Sequence, residues 1–254
     1  LGLFSSCISL YQLQDDHIPY QLGDQEIQIR RVMSADSGFV FINLHEDENT
    51  SVKAGKKFLK RHPGTMYSLE HGRTRRIYFQ IQGSTYHFDP NRMFTEEGIR
   101  RTLKGPEDHI MEARVMVLDF GKYVFQQLKI DQLDKIIALH NNGADEYSLR
   151  SYMPAGQYKN EAAAVHQNLT IDHDDFYFTT DSVIYEQLKA RNWNVILQNN
   201  QSADDDGSLS VYLKDANVSY VNVEAQHKHK RVQLQMYLVL DSLFQLNDES
   251  ADGS

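Results

Sequence analysis

Four stretches of this chain carry side chains that could do chemistry together. The first is Leu44-His45-Glu46-Asp47-Glu48. A histidine and a carboxylate three residues apart, in a loop leaving an apolar run, can both face one point in space. Imidazole and carboxylate are the donors a zinc ion accepts when no thiolate is offered. The plain alternative is an acidic turn that caps the helix after it. The second stretch is Ile136-Ile137-Ala138-Leu139-His140, where another apolar run ends in a histidine. A catalytic zinc needs three protein donors and one open position for water, and His45, Glu48 and His140 would complete that set. A hydrogen-bonded structural histidine is the competing reading. The third is Asp89-Pro90-Asn91-Arg92. The planar fork of Arg92 suits a carboxylate and Asn91 adds a neutral donor, although Asp-Pro-Asn is also an ordinary turn. The fourth is Glu224, closing the alternating stretch Tyr220-Val221-Asn222-Val223. Beside a metal such a glutamate is a natural proton acceptor.

The elements that must hold these groups can be read from periodicity. Short apolar runs at 38–44, 76–81, 135–139 and 194–197 predict strands, as do 208–213 and 218–223. Spacings of three to four predict helices over 50–61, 107–128, 181–191 and 230–244. Strands alternating with long helices imply an α/β fold, one mixed but mostly parallel twisted sheet flanked by helices. Such sheets bind ligands beyond the carboxyl ends of their strands, where His45 and His140 would then meet.

Composition narrows the field. The 254 residues carry 35 acidic and 26 basic side chains, a net charge of -9, with 41% hydrophobic residues. That apolar content excludes wholesale disorder, and the acidic balance argues against a nucleic-acid binder. No apolar stretch is long enough for a transmembrane helix. A single cysteine, Cys7, excludes an internal disulfide and any multi-cysteine zinc site.

In their order along the chain, His45-x-x-Glu48, Asn91-Arg92, His140 and Glu224 resemble the zinc carboxypeptidase superfamily, which includes the succinylglutamate desuccinylase and aspartoacylase enzymes. The resemblance spans about residues 38–244. It implies zinc held by His45, Glu48 and His140, Glu224 as general base and acid, and Asn91 with Arg92 binding a substrate carboxylate. It also implies an upstream arginine that polarises the scissile carbonyl, for which Arg73, Arg75 and Arg76 are open, Arg73 being slightly preferred. The function so implied is a metallopeptidase of carboxypeptidase type, acting on a peptide or amide bond beside a free carboxylate. An N-acyl amino acid deacylase is the alternative, and a non-catalytic binding module on the same fold the third reading. The single helix after Glu224 favours the carboxypeptidase arrangement over one with an added β domain.

Departures stand beside the match. The family's mobile-loop tyrosine has no counterpart in the polar run 199–207, and Tyr212 falls in an expected strand. The acidic filling of the zinc motif, Glu46 and Asp47, would favour a cationic substrate group. The His227-x-His229 pair reads as a basic helix start or a rim of the cleft, and 172–175 (Asp-His-Asp-Asp) as a solvated loop. Asp204-Asp205-Asp206-Gly207 lacks the alternating donors of a calcium loop. The opening Leu1-Gly2-Leu3-Phe4-Ser5-Ser6-Cys7 resembles the end of a bacterial lipoprotein signal, with Cys7 as the lipidated residue. On that reading 1–20 is an N-terminal segment, 21–246 the domain and 247–254 a disordered tail. The protein would then sit in the periplasm on a lipid anchor and act on cell-envelope peptides; a cytoplasmic location is the alternative.

Overall fold

The computed structural model describes residues 10–144 and 147–252, with side chains through Gln245. Cys7 and the signal-like segment around it lie outside the described residues. The chain opens with a hairpin of β1 (Gln14–Leu22) and β2 (Gln25–Met33). Gly23 turns it at φ +58°, where an added Cβ would sit 2.3 Å from the Gln80 carbonyl oxygen, so only glycine fits. Next come β3 (Phe39–Asn43), α1 (Asn49–Leu59) and β4 (Gly64–Glu70). A separate two-stranded ribbon follows, β5 (Ile77–Ile81) with β6 (Ser84–Phe88). Gln82 and Gly83, both at positive φ, close it as a primed turn. Then α2 (Glu96–Thr102), α3 (Ile110–Leu128) and β7 (Lys135–Asn142) lead to β8 (Ala162–His166) and β9 (Phe176–Thr179). The chain ends with α4 (Ser182–Ala190), β10 (Val195–Gln198), α5 (Leu209–Leu213), β11 (Ser219–Gln226) and α6 (Lys230–Asp252). β1 therefore begins before residue 21 and α6 continues beyond residue 246, while 253–254 lie outside the described residues.

Nine strands form one mixed sheet in the order β1-β2-β4-β3-β7-β11-β9-β10-β8. Its centre, β4-β3-β7-β11, is wholly parallel, and antiparallel strands extend it on both sides. The expected single α/β domain with helices on a mixed sheet is what the chain forms. One face is covered by α1 and α6 through Phe58, Leu59, Tyr237 and Leu240, packed on Phe41, Ile137 and Val221. The other is covered by α3 through Val117, Phe120 and Val124, packed with Ile42, Ile136 and Ala138.

The sequence reading does not contain β1, β2, β4, β6, β8, β9 or α2, and it misassigns two of the stretches it does contain. The stretch 208–213 is the short helix α5, not a strand. Its apolar residues fit either period, and the Ser208 hydroxyl decides for helix by accepting the Val211 N–H at its N-terminus. β1 and β2 were not expected because their outward faces are polar and charged. Finally, the strand expected at 76–81 lies in the ribbon rather than the main sheet.

Candidate metal centre

The alternation of β7 and β11 places the chemistry. Residues 136 and 138 of β7 face α3, and the period of two carries His140 to the same side. On β11 the same rule aligns Tyr220, Asn222 and Glu224, and the register puts Glu224 directly beside His140. Towards the carboxyl ends of the strands the apolar residues on this face give way to polar ones. They line a cleft of about 740 Å³ that includes Glu48, Arg75, Asn91, Arg92, His140 and Glu224.

His45 and Glu48 leave β3 next door. His45 Nδ1 lies 2.9 Å from Glu48 Oε1, and His140 Nδ1 lies 3.0 Å from Glu48 Oε2. The two imidazoles are 5.3 Å apart at their centroids, and one donor atom from each of the three residues falls within 4.8 Å of the others. Donors around a tetrahedral zinc are separated by about 3.4 Å, as bond lengths near 2.1 Å require. Glu48 Oε2 is buried and, despite that proximity, accepts no hydrogen bond, a costly state that a cation would relieve. The residues fit a divalent metal.

Surrounding groups fix the protonation and aim of this set. Asp89 takes His45 Nε2 at 2.8 Å on the oxygen that also accepts the Asn91 N–H. Burial alone would lower the His45 pKa, but Glu48 and Asp89 outweigh it and push it up to about 9. Burial works against the charge of Glu48 too, yet the two imidazoles hold its carboxyl well below the usual range. Arg75 Nη1 reaches Glu48 Oε1 at 3.1 Å and its Nε faces Asp89 at 3.7 Å. Glu224 is raised, chiefly by burial and further by Glu48, with His140 opposing. Asn222 Nδ2 donates to Glu224 Oε1 at 3.1 Å.

The structure thus brings Glu48, His140, Glu224, Asn91 and Arg92 around one cleft, with the fully buried His45 against Glu48, and separates Arg73 from them. Arg73 sits at φ +61° in a turn whose N–H groups, with those of His71 and Gly72, converge on Glu46 Oε2. It lines a different depression, whereas Arg75 lines the cleft. The same turn absorbs Glu46, so of the two acids inside the motif only Asp47 borders the cleft. Tyr212 is also elsewhere, stacked on Phe125 at 4.5 Å. Tyr147, Tyr152 and Tyr158 line the cleft instead. No spacing signal marks those tyrosines, whereas Asn222 was legible as the same-face neighbour of Glu224 two residues on. The stretch 172–175 is not simply solvated: Asp174 and Asp175 are buried, and Asp175 accepts the Gln226 N–H and lies 3.2 Å from His229. Asp172, His173 and Asp174 also approach closely enough to share a cation, but Asp172 Oδ1 is already engaged by His173 and the Asp174 N–H. Among the described residues no helix is long and apolar enough to cross a membrane.

No known family profile matches this chain, and no curated protein does. Among solved structures, one that it resembles is a candidate metallopeptidase from Shewanella denitrificans, at 12% identity and a TM-score of 0.40, over 87% of this chain and 79% of that one. A likeness at that level assigns no residue a role.

Proposed function

We propose that the protein is a zinc-dependent hydrolase of carboxypeptidase type, cleaving a peptide or amide bond next to a free carboxylate. The observation that carries the reading is the convergence of His45, Glu48 and His140 at the wall of a cleft that Glu48, His140, Glu224 and two arginines line. Two imidazoles and one carboxylate, with no thiolate, are a donor set suited to catalytic zinc. When bound, zinc supplies Lewis acidity that brings the pKa of water from about 16 towards about 7. Glu224, buried and with its pKa already raised, takes the proton from attacking water and passes it to the departing amine. The Arg75 guanidinium, aimed into the cleft, steadies the charge that develops on the carbonyl oxygen. Asn91 and Arg92 hold the terminal carboxylate and so fix which bond lies beside Glu224.

Elemental analysis of purified protein, followed by a panel of blocked peptides with free and amidated carboxyl ends, tests this. About one equivalent of zinc is expected, with hydrolysis of free-ended peptides falling steeply on amidation. Protein that takes up no divalent metal at micromolar levels refutes the reading. Glu224→Gln should keep its metal and lose at least about a hundredfold in turnover. N-acyl amino acids in the same panel separate a peptidase from a deacylase.

A further inference from the structure

A second depression, of about 540 Å³, lies on the face of the sheet that α1 covers. Val32, Phe41 and Met66 pack beneath α1 on that face, and the period of two carries Arg30, Asn43 and Ser68 to the same side. The register sets these three side by side, Ser68 between the other two. From above, Lys53 and Lys56 reach down from one face of α1, and Arg73 closes the edge from its turn. In a chain of net charge -9 this place is cationic: Arg30, Lys53, Lys56 and Arg73 line it with only Glu46 and Glu70 among them. Both carboxylates are already engaged. Glu46 Oε2 accepts three backbone N–H groups, and Glu70 accepts from Arg30 Nη1 at 3.0 Å. Asp15 takes the rest of Arg30. Lys53, Lys56 and the Arg73 guanidinium have no ion pair among the described residues. Burial and the nearby Arg30 hold the Lys56 pKa below the usual lysine range, with Asp15 and Glu70 opposing. In the floor, Ser68 is 6% exposed and its hydroxyl has no hydrogen-bond partner, so the polar lining is incomplete as it stands. Three uncommitted cations, all donors and none an acceptor, ask for an anion with several oxygens and more than one charge.

We infer that this depression binds a phosphate group, free or at the end of a small phosphomonoester, and that Lys53, Lys56 and Arg73 hold it. A phosphate carries between one and two charges at neutral pH and three strong acceptor oxygens, which matches three cations that no carboxylate takes up. The volume is that of a small-molecule site and leaves room beside the phosphate for an organic group. The depression shares no lining residue with the cleft, so its ligand is a second one and its occupancy stands apart from the hydrolase reading.

Calorimetric titration of the full chain with inorganic phosphate, glycerol 3-phosphate and acetate tests this. Both phosphates should bind saturably with a Kd of about 1 mM or tighter, and acetate at least about tenfold more weakly. The double variant Lys53→Gln, Lys56→Gln should weaken phosphate binding about tenfold or more, as loss of close charge partners does. Glutamine is a good helix former, so α1 should persist in that variant, which a thermal melt close to that of wild type checks. Arg73→Gln, outside the helix, should weaken binding in the same direction. Tighter binding of glycerol 3-phosphate than of phosphate identifies a phosphomonoester, and equal or weaker binding identifies free phosphate. The site is overturned if neither phosphate saturates, if acetate binds as well, or if the double variant binds phosphate as wild type does, since the anion then sits elsewhere.

Discussion

His45 is gripped on both ring nitrogens by carboxylates, and this sets how protons and metal compete for it. In metal-free protein its pKa of about 9 lies above the unfolded value of about 6.5. The stabilisation it gives is therefore complete below about pH 6.5 and is lost as the pH rises through about 9. Thermal unfolding of metal-free protein should lose on the order of 1–3 kcal/mol across that window. Metal-saturated protein, whose imidazole is already neutral, should show no such slope. Asp89 belongs to the same grip, and Asp89→Asn should weaken metal binding about 10- to 100-fold, as removal of an outer hydrogen-bond partner does, measured by competition with a chelator. Much of this was legible in the sequence. His45, His140 and Glu224 each close an apolar run, and Glu48 follows His45 by three residues in the loop before α1, so strand ends and that spacing bring the four together. The choice between Arg73 and Arg75 was not legible, because it turns on one residue at positive φ and on Glu46 drawing three N–H groups into a turn.

Among the elements, the loop before α5 is held to its surroundings by three adjacent aspartates, each with a different partner. Asp204 meets Arg101, Asp205 accepts the Thr95 hydroxyl at 2.6 Å, and Asp206 meets Arg92. Gly207 follows at φ +75°, and a Cβ there would stand 2.5 Å from both the Arg92 carbonyl oxygen and the Gly98 Cα. Gly207→Ala should therefore cost about 2 kcal/mol or more of stability. It should also raise KM for free-ended peptides by displacing Arg92, read from denaturant melts and steady-state kinetics. The sequence shows the polar run here but not its purpose, since the partners lie a hundred residues away. Where contacts are local the reading was better. The three-to-four spacing of Ala113, Val117, Phe120 and Val124 marks α3 because one face alone meets the sheet. β1, with its charged outward face, gives no such signal.

For the whole molecule, the sheet order explains why the centre sits where it does. From β3 the chain moves through α1 to β4 on one side, while β7 on the other side leads towards β11. Connections diverge between β3 and β7, and the crevice at their carboxyl ends is the natural ligand site of such a sheet. The core beneath it is a separate matter of packing. Phe58, almost fully buried between α1 and the sheet, stacks edge-on with Phe41 at 5.5 Å. Phe58→Ala should cost about 3–5 kcal/mol in unfolding free energy and leave any divalent-metal affinity of the folded protein within about threefold, because it lies on the face opposite the cleft.

The parallel pairing of β3 with β7 also orders events in time. His45 and Glu48 are synthesised long before His140, and they come to share one point only after Phe41 and Ile42 have registered against Ile137 and Ala138. A chain that has made only the first of these strands thus offers two of the three candidate donors. A divalent metal could meet all three only once β3 and β7 have paired at the middle of the sheet.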